Sequence, residues 1–132
     1  MTNVLTYSTE LLLLLFLIIT FLQSALDKIL DWKGNLSWLK EHFSQTSFKN
    51  VVPLLMGTVM VAEIMAGILC TIGFYMLIVR GNGSVALAGA ILSCMALLML
   101  LLGQRVAKDY DGARTIAIYF IPAIFLVFLL NT

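Results

Sequence analysis

Long apolar runs separated by short polar segments make up most of the chain. A helix needs about 20 apolar residues to cross the hydrocarbon core of a bilayer, because each residue adds about 1.5 Å along the helix axis. Four runs reach this length, and no basic residue precedes the first, which favours a retained helix over a cleaved signal peptide. We therefore predict membrane-spanning helices at about residues 11–30, 51–79, 85–106 and 112–130.

The connection between the first two runs, residues 31–50, is the only one long enough to form structure outside the membrane. Apolar residues recur in it at helical spacing, and tryptophans such as Trp32 and Trp38 favour the headgroup level. Asn35 is suited to be an N-cap, since its side chain can accept a hydrogen bond from a backbone N–H of the first turn. We predict a short amphipathic helix at about residues 35–44 that lies at the interface. A loop folded over the bundle end is the alternative.

Two tight connections join the remaining helices. Residues 80–84 read Arg-Gly-Asn-Gly-Ser, and residues 109–112 read Asp-Tyr-Asp-Gly. Glycine and asparagine adopt positive φ at low steric cost, so both segments are typical of antiparallel turns. The whole pattern predicts one domain, residues 1–132, that is an all-α integral membrane four-helix bundle with a short amphipathic interfacial helix in the first connection.

Composition supports a lipid environment and argues against several classes of partner. Of the 132 residues, 61% are hydrophobic and 11% are charged, with a mean hydropathy of +1.04. A soluble domain needs more charge to cover its surface, so the lipid bilayer is the predicted surrounding. The net charge of +1, without a basic stripe, argues against nucleic acid. His42 is the one histidine and the two cysteines form no CxxC pair, so no metal site is predicted.

Basic residues are distributed unevenly between the two ends of the predicted bundle. The first and third connections and their flanks hold seven of the eight lysines and arginines, and Arg80 alone lies at the other end. Short loops rich in lysine and arginine stay in the cytoplasm. We therefore predict that loops 1 and 3 are cytoplasmic and that both termini are outside.

Glu63 lies well inside the second apolar run. A carboxylate at this depth is costly unless it is protonated or paired, and it usually faces the bundle interior. Counting outward from the turn at Asn82 brings Gln104 and Arg105 of the next helix within reach, and we predict that Glu63 contacts one of them. A glutamate that only locks the helix packing is the alternative.

A polar stripe runs along the end of the first helix. Its members are three or four residues apart and so share one face: Thr20, Gln23, Ser24, Asp27 and Asp31. The stripe would be costly against lipid, so we predict that it points inward, with Gln23 and Ser24 as the next candidate partners of Glu63. Lys28 flanks it. Snorkelling to the headgroups is the alternative role for Lys28 and Arg105, but the whole set predicts a polar cluster in one half of the bundle.

Cys70 and Cys94 are each 12 residues from Asn82, which predicts equal depth on neighbouring helices. Buried cysteine usually acts as a small hydrophobe, so we predict reduced thiols that serve packing rather than thiol chemistry. Small residues on the same two helices are predicted to permit close helix contact: Gly57, Ala62, Ala66, Gly67, Gly73, Ala86, Gly89, Ala90 and Ser93.

Four segments carry a resemblance to a known family: SALDKILDW, NLSWLKEHF, VAEIMAGILCTIG and GQRVAKDYDGA. In order and spacing they resemble the DoxX-like family of small bacterial membrane proteins. The resemblance implies a four-helix bundle of the inner membrane. It also implies kinship with the small membrane subunit of thiosulfate:quinone oxidoreductase and with members linked to thiol or oxidative-stress complexes. Carried over by position, the matching residues are Lys28, Glu63, Gly67, Gln104 and Arg105.

The resemblance implies an accessory subunit of a quinone- or thiol-linked membrane redox complex. Its partners would be other membrane subunits, and its ligand a non-covalent quinone or lipid. The chain has no Walker, GxGxxG or GxSxG pattern, so we do not expect an enzyme on its own. Two alternatives remain open. One is a small, self-associating ion-coupled carrier that uses the membrane glutamate, and the other is a purely structural subunit of a larger assembly.

Overall fold

The computed structural model describes residues 2–42, 52–106 and 108–131, and helix is the only regular structure among them. In chain order the helices are α1 (Thr2–Thr6), α2 (Ser8–Leu30), α3 (Trp32–His42), α4 (Val52–Arg80), α5 (Ser84–Val106) and α6 (Tyr110–Asn131). Of these, α2, α4, α5 and α6 are long and apolar enough to cross a membrane. The prediction of an all-α four-helix bundle is confirmed.

The four long helices pack in sequence order. Helix α4 packs extensively against both α2 and α5, and α5 packs against α6. Helices α2 and α6 touch each other much less. Leu14, Leu17 and Phe21 of α2 are fully buried and share one core with Leu97 of α5 and Leu126 of α6. The loosest seam of the bundle therefore runs between its first and last spanning helices.

Small residues let α4 and α5 approach closely, as predicted. A Cβ at Gly73 would clash with the backbone of Ala86, and a Cβ at Gly89 would lie 2.8 Å from the amide nitrogen of Cys70. Gly57 does not take part, because a Cβ there would have nothing within 4 Å. The prediction of Gly57 as a helix-contact residue is wrong, since the space that a side chain would occupy at this position is open.

The connection between α4 and α5 is the predicted tight turn. Gly81 has a φ of +65°, and its N–H donates to the carbonyl oxygen of Leu77 at 3.1 Å. The N–H of Asn82 donates to the carbonyl oxygen of Met76 at 3.4 Å. This pattern ends a helix in a left-handed residue, where glycine avoids the clash of a Cβ. The side chain of Asn82 then accepts a hydrogen bond from the amide of Ser84, 2.9 Å away, at the start of α5.

The N-terminal helix α1 is an element that the apolar pattern did not predict. The side-chain amide of Asn3 donates to the carbonyl oxygen of Ile78 at 3.0 Å. Carbonyls in the last turn of a helix lack partners within that helix, so Asn3 satisfies one at the end of α4. A break at Tyr7 separates α1 from α2, which begins at Ser8 rather than at residue 11.

Helix α3 begins at Trp32, before the predicted start at residue 35, so Asn35 lies inside the helix and is not its N-cap. Asp31 precedes α3, and a Cβ at Gly34 would lie 2.5 Å from its Oδ2 atom. The carboxylate therefore lies over the first turn, where aspartate is a favoured capping residue and glycine leaves it room. Residues 43 and 44, at the predicted end of this helix, lie outside the described residues.

Helix α6 begins at Tyr110, before the predicted start at residue 112. Oδ1 of Asp109 accepts a hydrogen bond from the amide of Gly112 at 3.2 Å. Gly112 is not the turn residue, because the φ of +60° belongs to Lys108. A Cβ at Gly112 would lie 2.6 Å from Oδ2 of Asp109, so glycine is needed there for space. Aspartate followed three residues later by glycine thus marks the starts of both α3 and α6.

Candidate functional site

A cavity of about 310 Å³ lies along the seam between α2 and α6 and reaches inward to α4 and α5. Its apolar walls include Ile19, Phe21, Leu97, Leu100 and Ile116. Its polar groups belong to Thr20, Gln23, Ser24, Asp27, Glu63 and Tyr119. Ile19 is the middle residue of α2, and every other residue of the lining lies in the half of its helix nearest the first or third connection. The cavity therefore occupies the half of the bundle where the sequence concentrates its polar residues.

The polar lining contributed by α2 consists of four residues of the stripe identified in the sequence. Their three- or four-residue spacing keeps them on one face of the helix. That face adjoins the buried one, which carries Leu17 and Phe21 and holds α2 against the core. Helix α2 can therefore turn polar groups toward the seam without interrupting its apolar contact. The fifth member, Asp31, lies instead at the start of α3.

Glu63 lies at the inner end of the cavity. On α4 it continues the buried face that carries Ala66 and Cys70, and its side chain has 0% exposure. Burial of a carboxylate is costly unless the group is protonated or hydrogen-bonded, and Glu63 does make a polar interaction in the structure. An intramembrane ionisable residue that faces a cavity is the arrangement expected of a ligand- or proton-binding group.

The exposure of the polar lining increases toward the end of the bundle that carries the first connection. Glu63 is buried, Thr20 and Ser24 are half-buried, and Gln23 and Asp27 are exposed. Asp27 also ends the membrane-spanning part of α2. The cavity thus runs from a carboxylate in the bundle interior to a second one at the membrane boundary.

Two predicted site residues, Gln104 and Arg105, do not line the cavity. Oε1 of Gln104 lies beside α6, 2.7 Å from where a Cβ at Gly112 would be. Arg105 is exposed, and its guanidinium carbon lies 5.3 Å from the ring centroid of Tyr110. These positions tie both side chains to the start of α6. Arg105 is on the exposed side of α5, and neither side chain is among the residues that line the cavity beside Glu63.

The predicted polar cluster is therefore assembled in part. Four of its members share the cavity: Glu63, Asp27, Gln23 and Ser24. The side chain of Lys28 lies outside the described part of the chain. Gln23 and Ser24, the next candidates from the sequence, line the cavity together with Glu63. Gln104 and Arg105, the first candidates, do not.

Tyr119 is the site residue that sequence reasoning missed. It lines the cavity from α6, and its ring packs edge-on against Phe16 of α2 with centroids 5.9 Å apart. The signal was present, since Tyr119 is the only hydrogen-bonding side chain between Thr115 and Asn131. Its significance depends on α6 lying next to α2, which the pattern of apolar runs does not reveal.

The two cysteines belong to the packed α4–α5 pair and do not line the cavity. Both thiols are free and buried, and Sγ of Cys70 lies 3.7 Å from Oγ of Ser93. The hydroxyl of Ser93 donates to the carbonyl oxygen of Gly89 at 2.7 Å. Among the described residues, no three of histidine, cysteine, aspartate and glutamate gather into a group that could hold a metal ion.

Fold and cavity together define a class: a small multi-pass membrane protein whose bundle encloses a partly buried polar site. Comparison of the chain with protein-family models, with curated proteins and with solved structures finds no match. Function is therefore inferred from the residues at the cavity.

Proposed function

We propose that the chain is an accessory subunit of a membrane redox complex and that its cavity binds the headgroup of a quinone-class lipid. The observation that carries the proposal is the cavity itself, which lies between α2 and α6 and combines apolar walls with polar groups that extend from the buried Glu63 to the exposed Asp27. A quinone has matching chemistry: oxygen atoms on a flat ring, and an apolar tail that stays in the lipid. The volume of about 310 Å³ is within the range of small-ligand sites.

Each part of the lining has a role in this proposal. The hydroxyls of Ser24 and Tyr119 and the amide of Gln23 form hydrogen bonds with the ring oxygens. Leu97 and Leu100 contact the ring faces and exclude water. Cys70 and Cys94 are packed away from the cavity, so the quinone-linked form of the proposal has more support than the thiol-linked form.

The membrane that we propose is the bacterial inner membrane, as the resemblance to DoxX-like proteins implies. The excess of lysine and arginine at one end supports an orientation with loops 1 and 3 in the cytoplasm. In this orientation the cavity lies in the cytoplasmic half of the membrane, and the α4–α5 turn lies outside.

The test is purification of the tagged chain from its native membrane in mild detergent, followed by chromatography of extracted lipids and identification of copurifying subunits. We expect bound quinone and a redox subunit. Leu100→Trp should fill the cavity and remove the quinone, whereas Leu98→Trp, on the exposed side of the same helix, should retain it. Preparations without quinone, or equal quinone in the two variants, would contradict the proposal.

A second candidate function is that of a small carrier driven by cations, and one observation favours it. Asp27 and Glu63 line the same cavity, and no lysine or arginine is among its described lining residues. Carboxylates within a membrane bundle are typical of proton and cation pathways. Cation-driven uptake by purified chain in liposomes, abolished in Glu63→Gln, would support this function, and a quinone-free homodimer would be its expected purified form.

A further inference from the structure

The hydrogen-bonding groups of the cavity are biased toward acceptors. Asp27 and Glu63 contribute carboxylate oxygens, which accept hydrogen bonds and donate none when ionised. The hydroxyls of Thr20, Ser24 and Tyr119 can both donate and accept. Gln23 has the only amide, and no lysine, arginine or histidine is among the described residues that line the cavity.

This bias distinguishes ligands of similar shape. A quinone carbonyl only accepts hydrogen bonds, so it gains nothing from the carboxylates and loses its hydration as it enters the cavity. A ring hydroxyl donates, and a hydrogen bond from a hydroxyl to a carboxylate is shorter and stronger than one between neutral groups. The preference belongs to an ionised carboxylate, because a protonated carboxyl also carries an O–H that can donate to a quinone carbonyl.

We infer that the cavity selects a headgroup that donates hydrogen bonds, so that within the quinone class it binds the quinol in preference to the quinone. The inference rests on the proposed function and adds to it the oxidation state of the ligand that binds. Glu63, buried at the inner end, accepts a hydrogen bond from a ring hydroxyl. Asp27, at the exposed end of the cavity, can accept a hydrogen bond from a second donor of the ligand. An alkylammonium group also donates hydrogen bonds, and the experiment separates it from the quinol.

The experiment compares four probes on the purified chain in detergent under anaerobic conditions. They are decylubiquinol, decylubiquinone, the dimethyl ether of decylubiquinol, which lacks donors, and dodecylammonium. Binding is measured from the shift in the midpoint of thermal unfolding and from the ligand retained after desalting. We expect the quinol to bind roughly tenfold more tightly than the quinone, from one additional charge-assisted hydrogen bond, and the ether to bind no better than the quinone.

Variants assign the preference to the carboxylates. Glu63→Gln replaces an acceptor oxygen with a donating amide and should bring the quinol-to-quinone affinity ratio close to one. Asp27→Asn, at an exposed position, should lower the ratio by a smaller factor and keeps the test valid if Glu63→Gln does not fold. Glu10→Gln, at the far end of α2, should leave the ratio unchanged.

The possible results separate the two levels of inference. Equal or tighter binding of the quinone would overturn the selectivity and leave the proposed function in place. Binding of neither ring form would remove the proposed function itself. Tighter binding of dodecylammonium than of the quinol would overturn the quinol assignment and favour the carrier.

Discussion

At the scale of single residues, Glu63 and Arg105 occupy separate environments, although the sequence suggests them as partners. Glu63 is buried at the cavity, and Arg105 is exposed over the ring of Tyr110. Residues without shared partners contribute additively to stability. We predict that Glu63→Gln and Arg105→Gln change the free energy of unfolding independently, with an interaction energy below about 0.5 kcal/mol in a double-mutant cycle. A coupling energy of about 3 kcal/mol would instead reveal a buried ion pair.

The two thiols give a second prediction at the residue scale. Cys70→Ser/Cys94→Ser should be expressed normally and should bind the proposed quinone as the unchanged chain does, because neither thiol lines the cavity. A serine in a membrane helix can donate to the carbonyl four residues earlier, as Ser93 does to Gly89, which limits the loss of stability to about 1 kcal/mol per site. Expression level and lipid content of the double variant provide the measurement. Loss of quinone at normal expression would show a functional role for the thiols.

At the scale of helices, two glycines of α4 should respond in opposite ways to the same substitution. A Cβ at Gly73 would meet the backbone of Ala86, which cannot rotate away, so Gly73→Ala must separate α4 from α5. We predict a loss of about 1–3 kcal/mol in the free energy of unfolding. Gly57→Ala meets nothing within 4 Å and should stabilise the chain by about 0.5–1 kcal/mol through helix propensity. Denaturant unfolding of both variants measures these free energies. Equal changes in the two variants would contradict the close α4–α5 contact.

The positions of the four spanning helices could be predicted to within a few residues, because the length of an apolar run is a direct measure of what can cross a bilayer. The residues at which the helices begin were harder to predict. Asn35 and Gly112 have the residue types expected of a cap and a turn, yet Asp31 and Asp109 take the capping positions. Whether a glycine supplies positive φ or space for a neighbouring carboxylate depends on the backbone path, which residue type does not specify.

At the scale of the whole molecule, the sequence predicts which polar residues of each single helix avoid lipid. It does not predict which residues of different helices meet at the cavity. The stripe on α2 and the buried Glu63 follow from polar residues in apolar surroundings, which must avoid lipid. The contribution of Tyr119 depends on the loose packing of α2 against α6, a property of the closed bundle. Counting residues from a turn gives depth along the membrane, and it cannot say which way Gln104 and Arg105 point.

The orientation of the bundle decides which compartment the cavity serves. Lys40 of α3 and Asn82 of the α4–α5 turn are both exposed and lie in connections at opposite ends of α4. In a Cys70→Ser/Cys94→Ser background, a membrane-impermeant maleimide should label Asn82→Cys in intact cells and Lys40→Cys only after the cells are opened. The prediction rests on the excess of lysine and arginine at the end that carries loops 1 and 3, because short loops rich in these residues are retained in the cytoplasm.

Labelling after detergent solubilisation serves as the control, since both variants should then react fully. The reverse pattern in intact cells would place Asp27 and the exposed end of the cavity on the outer side. Under the proposed function, the ligand headgroup would then lie toward the exterior rather than toward the cytoplasm. Labelling of both variants in intact cells would contradict the four-span topology itself, because α4 would no longer separate the two connections.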